Sequence, residues 1–440
     1  MDQVNINELW KKIKASIRAF REEAFGLGSH FFSIPETGFH EEMTARGICE
    51  CLEKWQIPCE KNLALHGVRC SFAGREAGYH VVIIADIDAL LIQKDGKPTA
   101  FHSCGHSIQT VVLLNMIHAF AETGIMEQIP GRISFFFIPA EEFIEIEERK
   151  KMKAAGLIRA VSGKQHLIAE GYFDDADAVL SCHVMNPDPR RPRLFFDAGT
   201  SLTGFLHKRI EFRGKDAHAG AAPHLGRNAL HGASLSLSAI QMLKDTFPPE
   251  AELKLYPILS EGGGTSVNTI PSHAVLESYL RARDRKSLAE ISGKLDVLFE
   301  SCARALELGC SITTMSGYLP FIQDPALVKL AAERIEELCG ELGLGENAWV
   351  LNETSGASGD HGDLSAIVPV LQLGFTGITG RVHSDEFSIS DPVNAYENSA
   401  LLLAGIALDL LLRPEKQIRY PDREQRKQAY LHDWLAGQDS

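Results

Sequence analysis

Four apolar runs limit what this chain can become: YHVVIIADI (79–87), RISFFFIPA (132–140), DAVLSCHV (177–184) and VPVLQLGFTG (368–377). They are too short for helices of ordinary length and rich in β-branched and aromatic residues, so they read as strands. They do not alternate apolar with polar residues, so both faces of each strand must be covered. That is the signature of a parallel sheet packed between helices. Between the first two lies SIQTVVLLNMIHAFAETG (107–124), with helical spacing and a glycine stop. Strand, helix, strand in that order gives an α/β layer with a mostly parallel sheet.

Residues from about 203 to 317 follow a different rhythm. LHKRIEFRG, ELKLYPIL, HAVLESYLRAR and CSITTMSG read as strands, and GRNALHGASLSLSAIQMLKD and RKSLAEISGKLDVLFESCARALELG as helices. The order β-α-β-β-α-β is the split-βαβ, ferredoxin-like pattern. At 440 residues the chain is too long for one core. The expectation is therefore a discontinuous α/β domain (1–202 and 318–440) carrying an inserted α+β domain (203–317). The opening MDQVNINELWKKIKASIRAF reads as an amphipathic helix without the apolar core of an export signal, which implies a cytoplasmic protein. The polar residues after about 413 read as helical, with Pro421 as a break.

Net charge is −14, and no segment concentrates Lys or Arg. Nucleic acid and anionic membranes are therefore not the expected partners. The run LLLAGIALDLLL (401–412) carries Asp409 and is too short to span a bilayer. Nine cysteines, an odd number in a large chain, do not suggest a disulfide framework.

Ligands of open α/β sheets bind beyond the carboxyl ends of the strands. Metal-binding residue types gather there. Asp86 and Asp88 end the first strand, and His102, Cys104 and His106 follow in FHSCGH. Glu141 and Glu142 follow the second strand, His183 ends the third and His383 follows the fourth. Imidazole, thiolate and carboxylate together suit Zn²⁺, and Mn²⁺ or Co²⁺ less decisively. A Cys104 thiolate can bridge two ions, an activated water can serve as nucleophile, and of two adjacent glutamates one can ligate while the other acts as base. Taken singly, His102, His118 and His361 read as ordinary satisfied histidines. Strand alternation points Cys182 away from His183 and into the core. Cys104 as a nucleophile with His106 as its base is a rival reading, but it leaves Glu141, Glu142, His183 and His383 without a role.

The ordered series IPETGFHEE (34–42), ADIDAL (85–90), HSCGH (102–106), PAEE (139–142), HVMNP (183–187), HAGAAPHLGRNAL (218–230), GGGTSVNTIPSHAVL (262–276), SGDHGDLS (358–365) and HSDEF (383–387) resembles one family. It is the dinuclear metal-dependent aminoacylase and carboxypeptidase family. The closest branch comprises the amidohydrolases of N-acyl amino acids, auxin conjugates and p-aminobenzoyl-glutamate. The resemblance implies that Cys104 bridges two divalent ions and that His106, Glu142, His183 and His383 complete the ligands. It implies that Glu141 is the general base and that Asp88 orients a ligand. His218 and Asn268 would stabilise the tetrahedral oxyanion in the partner subunit's site, which implies a homodimer through the inserted domain. Arg281 would grip the substrate carboxylate.

The chain departs from that pattern in three places. Ser107 and Gln109 stand where the branch has Asp and His, Phe143 stands where Gly is usual, and residues 144–161 form a charged, helix-like insert beside the glutamates. The insert is expected to reshape the substrate pocket. The resulting expectation is a metal-dependent hydrolase of an amide bond in an N-acyl amino acid or small peptide-like conjugate. A dipeptidase or carboxypeptidase of the same family and a non-catalytic metal- or peptide-binding homologue are the alternatives.

Overall fold

The computed structural model describes residues 6–94, 96–264 and 266–438. Residues 1–5 of the expected N-terminal helix and Thr265 of the expected GGGTSVN loop lie outside them. The chain divides into two compact units. The first runs to Ser201 and resumes over Ile322–Glu353 and Leu364–Gln428. The second comprises Leu202–Phe321, Thr354–Asp363 and the segment from Ala429 onward.

The first unit is built on an eight-stranded sheet. Its strands are Cys59–Leu63 (β1), Gly67–Ala73 (β2), His80–Asp86 (β3), Arg132–Ile138 (β4), Ala178–Val184 (β5), Phe196–Ala198 (β6), Trp349–Leu351 (β7) and Val370–Phe375 (β8). The spatial order is β1-β2-β4-β3-β5-β8-β6-β7. The four strands expected from the apolar runs, β4, β3, β5 and β8, lie side by side and parallel. Every residue of β3 is buried. The pairs β1–β2, β2–β4 and β6–β8 are antiparallel, and β7 runs parallel to β6 at the far edge.

The helix His106–Thr123 is buried along nearly its whole length and ends on Gly124 in the left-handed region. Its N-terminus follows Gly105, at φ +86°, where an added Cβ would lie 2.4 Å from Val184 Cγ1. Only glycine allows the helix to start this close to the end of β5. The apolar helix near the C-terminus is longer than expected. A π-helical turn extends it to Val393–Leu412, and 94% of its most apolar window is buried, so it is a core helix. Its Asp409 is matched by Arg334, with Nε and Nη2 each 2.8 Å from a carboxylate oxygen.

The second unit holds an antiparallel sheet in the order Lys254–Leu255, His273–Ala282, Gly204–Arg213, Gly309–Ser316. The helices Ala229–Lys244 and Arg285–Ala305 are capped by the side chains of Asn228 and Asp284. ELKLYPIL does not form one strand. It pairs with His273–Ala282 as two short pieces, Lys254–Leu255 and Ile258–Glu261. Pro257 between them has no N–H to give to a ladder.

Candidate metal centre

Five segments of the chain carry the cluster. β3 ends at Asp86, and two residues later Asp88 is fully buried. Its carboxylate holds two neighbours at once. Oδ1 lies 3.0 Å from His106 Nδ1, and Oδ2 accepts the Glu142 N–H at 2.9 Å. β4 leads through Ala140, held at φ +57°, into Glu141 and Glu142. The Ala140 N–H donates to Glu41 Oε1 at 2.8 Å. In β5 the chain alternates, so that Cys182 joins the apolar core while His183 faces Cys104. His383 stands at φ +67° and its N–H donates to the Ser103 carbonyl at 2.8 Å. Of the eleven described non-glycine residues with positive φ, Ala140 and His383 stand at the cluster, backbone strain placed where function is expected.

The side chains converge as two triads. The donor atoms of Cys104, His106 and His183 lie within 4.8 Å of one another, as do those of Cys104, Glu142 and His383. The triads share only the Cys104 sulfur, which is 3.4 Å from His183 Nε2 and 3.3 Å from His383 Nε2. Glu141 closes a third group with His106 and Glu142, its Oε2 3.9 Å from His106 Nε2.

The imidazoles are prepared to bind. His106 Nδ1 faces the Asp88 carbonyl oxygen at 3.0 Å as well as its carboxylate, and His183 Nδ1 faces the Val184 carbonyl at 2.7 Å. A carbonyl only accepts, so each Nδ1 carries a proton and Nε2 is the nitrogen left to face the cluster. His106 Nε2 and Glu142 Oε1 are buried with no hydrogen-bond partner. Buried polar atoms are ordinarily satisfied, so these two orphans in a thiol, imidazole and carboxylate set fit divalent metal ions.

Electrostatics supports the same reading. Burial, then the charge of His106, lowers His183 to about 4, so it remains neutral. Burial pushes Glu142 up to about 7 against the pull of His106. Burial, then Glu142, pushes the Cys104 thiol well above its ordinary value. Concentrated anionic donors with little water around them favour a bound cation, and a coordinating thiol is deprotonated outright. Asp88 behaves oppositely. Burial opposes its ionisation, but His106, the Glu142 amide and Arg149 outweigh burial and hold it below the usual carboxylate value.

His218, Asn268 and Arg281 lie in the second unit. The structure brings the first two together, since His218 pairs with Thr269 and the Ala219 N–H donates to the Asn268 carbonyl at 2.8 Å. His218 Nδ1 accepts the N–H groups of Gly220 and Ala221 at 3.2 and 3.0 Å, which places the ring proton on Nε2. Arg281 donates to the Gly356 carbonyl at 3.0 Å and faces the Phe205 and Tyr279 rings, and no described carboxylate pairs with it.

Sequence reasoning missed Lys164, which is fully buried and forms an ion pair with Asp86 directly behind the cluster. Its signal was slight, a single lysine in SGKQHLIAEG. Gln109, one of the unusual positions, accepts the Asp86 N–H on its side-chain oxygen at 2.8 Å. Ser107 is buried. His118 stacks on Phe20 with centroids 4.4 Å apart, and His361 packs on Phe321; neither joins the three groups of metal-type donors. The insert contains a helix, Ile146–Ala154.

The sequence profile of peptidase family M20/M25/M40 matches residues 82–409. The chain belongs to this family. A relative from Bacillus subtilis (strain 168), N-acetyl-L-cysteine deacetylase, is 26% identical over 325 residues, 72% of this chain and 73% of that protein. The Xaa-Arg dipeptidase of Mus musculus is 27% identical over 339 residues, 74% of this chain and 70% of its own length. Among solved structures, a dinuclear metal-binding M20 peptidase of Bacillus subtilis superposes with a TM-score of 0.67 at 20% identity, covering 90% of this chain and 99% of that one. This M20 protein is a metal-dependent amidohydrolase or peptidase.

Proposed function

We propose that this enzyme hydrolyses the amide bond of an N-acyl amino acid or small peptide-like conjugate, with two divalent ions per chain, Zn²⁺ or Mn²⁺ and with Co²⁺ as a possible substitute. The observation that carries the reading is the single sulfur of Cys104 shared by two triads, with the Glu141 carboxylate beside them. Cys104 would bridge, His106, His183, Glu142 and His383 would complete the ligands, and Asp88 would orient His106. When bound, the ions supply Lewis acidity and lower the pKa of a water. Glu141 takes the proton of the attacking water and delivers it to the leaving nitrogen. His218, through Nε2–H, and Asn268 donate to the developing oxyanion. Arg281, lacking a carboxylate of its own, grips that of the substrate. The homodimer would form through the second unit, where Met242 and Tyr256 are 74% and 78% exposed. The exposed remainder of the insert would shape the acyl pocket, and trimming it should change which acyl group is accepted.

Glu141→Ala tests the assignment. Metal content should be retained while hydrolysis falls about 10²–10⁴-fold, the range of a general base. Survival of activity would remove Glu141 from the mechanism. A panel that pairs N-acyl amino acids with dipeptides separates deacylase from dipeptidase, the reading favoured by the likeness to the mouse enzyme.

A further inference from the structure

Among the charged residues of the insert, Arg149 is the one that is fully buried. The helix Ile146–Ala154 turns it inward, toward the residues that precede the two glutamates. Its Nη1 donates to the Val161 carbonyl at 2.9 Å, and the guanidinium stands 5.3 Å from the Phe39 ring centroid. A Cβ built on Gly38 would lie 2.3 Å from Arg149 Nη2 and 2.7 Å from Ala140 Cα, so guanidinium, glycine and Ala140 meet at one point. Ala140 is the left-handed residue immediately before Glu141. Arg149 Nε and Nη2 have no hydrogen-bond partner among the described residues.

Burying a guanidinium costs several kcal/mol unless a charge answers it. A spacer helix would fill this space more cheaply with methionine or leucine. The cation is accounted for by what it faces, the strained turn at Ala140 that leads into the two glutamates.

We propose that Arg149 is a positioning residue of the metal centre, a guanidinium supplied by the insert that fixes the turn of residues 140–142. This rests on His106 and Glu142 being metal ligands, as proposed above. The insert thereby supports the site from below in addition to any effect on the pocket.

The test compares Arg149→Met, Arg149→Gln and Arg149→Lys with the parent protein, using Zn²⁺ and Mn²⁺ as probes. Metal affinity is read by chelator competition and by the metal-induced rise in Tm. We expect Arg149→Met to bind metal about 10–100-fold more weakly, as when the partner of a ligand is lost. At saturating metal its kcat should fall with KM unchanged, and the ranking of substrates should be preserved. Arg149→Lys should recover part of the affinity. A purely structural role would lower the Tm of the metal-free chain and leave metal affinity alone. Where Met does not fold, Gln and Lys are read in the same way. Parental metal affinity in every variant that folds overturns the proposal. Glu142→Ala serves as the control. If it binds metal normally, the ligand assignment fails first, and the fault does not lie with Arg149.

Discussion

Replacing Asp88 by Asn asks one buried side chain to do two incompatible things. The native carboxylate accepts from His106 Nδ1 at 3.0 Å through one oxygen and from the Glu142 N–H at 2.9 Å through the other. Asparagine offers one acceptor and one NH₂, so one of these donors must face another donor. If the amide oxygen stays with Glu142, the NH₂ confronts a protonated Nδ1 and the ring turns or changes tautomer. If it stays with His106, the turn carrying both glutamates is pushed away. A hydrogen bond to a charged group is worth about 1.5–3 kcal/mol. At about 1.4 kcal/mol per decade this is about one to two orders of magnitude in metal affinity, matching the usual cost of losing the partner of a ligand. The assay is competition with a chromophoric chelator, with circular dichroism to confirm that the fold is kept. Asp88→Glu should fare no better, because the longer side chain cannot keep both contacts. Folded Asp88→Asn protein with parental metal affinity would refute the claim that Asp88 sets the geometry of His106 and Glu142.

Three further outcomes follow from packing and charge. Arg334→Met leaves Asp409, 2% exposed in an apolar helix, with Arg413 Nε at 3.0 Å as its remaining cation among the described residues. It should cost about 3 kcal/mol, the lower end for a broken buried pair, and urea unfolding reads this directly. Gly163→Ala places a Cβ 1.9 Å from the Pro139 carbonyl oxygen. Overpacking of this kind costs about 1–3 kcal/mol, and because Gly163 also donates to Ala140 O at 3.2 Å, metal affinity should fall together with Tm. His80 is lowered from 6.5 by burial and then by Arg132. The unfolded chain therefore takes up a proton as the pH falls through 6.5 while the folded chain does not. Stability from this group is complete above that pH and declines below it. His80→Gln should flatten the acid limb of unfolding free energy against pH, and an unchanged slope would exclude His80 as a contributor.

The central sheet was legible in the sequence because burial on both faces leaves β3, β4, β5 and β8 mostly apolar, with few polar interruptions such as Ser134, Ser181 and Gln372. The flanking strands were not legible. CEKNL in β1 is half exposed, and β6 and β7 have three residues each, too few for any period to register. Pro257 was visible, but its power to split a strand was not applied. The cluster was readable because metal ligands are restricted to a few residue types that recur at strand ends. Its supports were harder to read. Lys164 and Arg149 sit in polar stretches that resemble solvated helix faces, and only the fold shows that each side chain turns inward. Gln109 stands where the family pattern has His, and only the fold shows its side-chain oxygen accepting the backbone N–H of Asp86.

The division of the first unit around the second sets an order of events in time. Cys104, His106, Glu142 and His183 are translated together, whereas His383 follows 200 residues after His183. At about 5–20 residues per second, a ribosome needs about 10–40 s to cross that interval. During it the nascent chain carries one triad complete and the other lacking a member. On the proposed ligand assignment, an ion captured early would meet the first triad alone, and the second position would be filled only after β8 has joined the sheet and brought His383 to the shared sulfur.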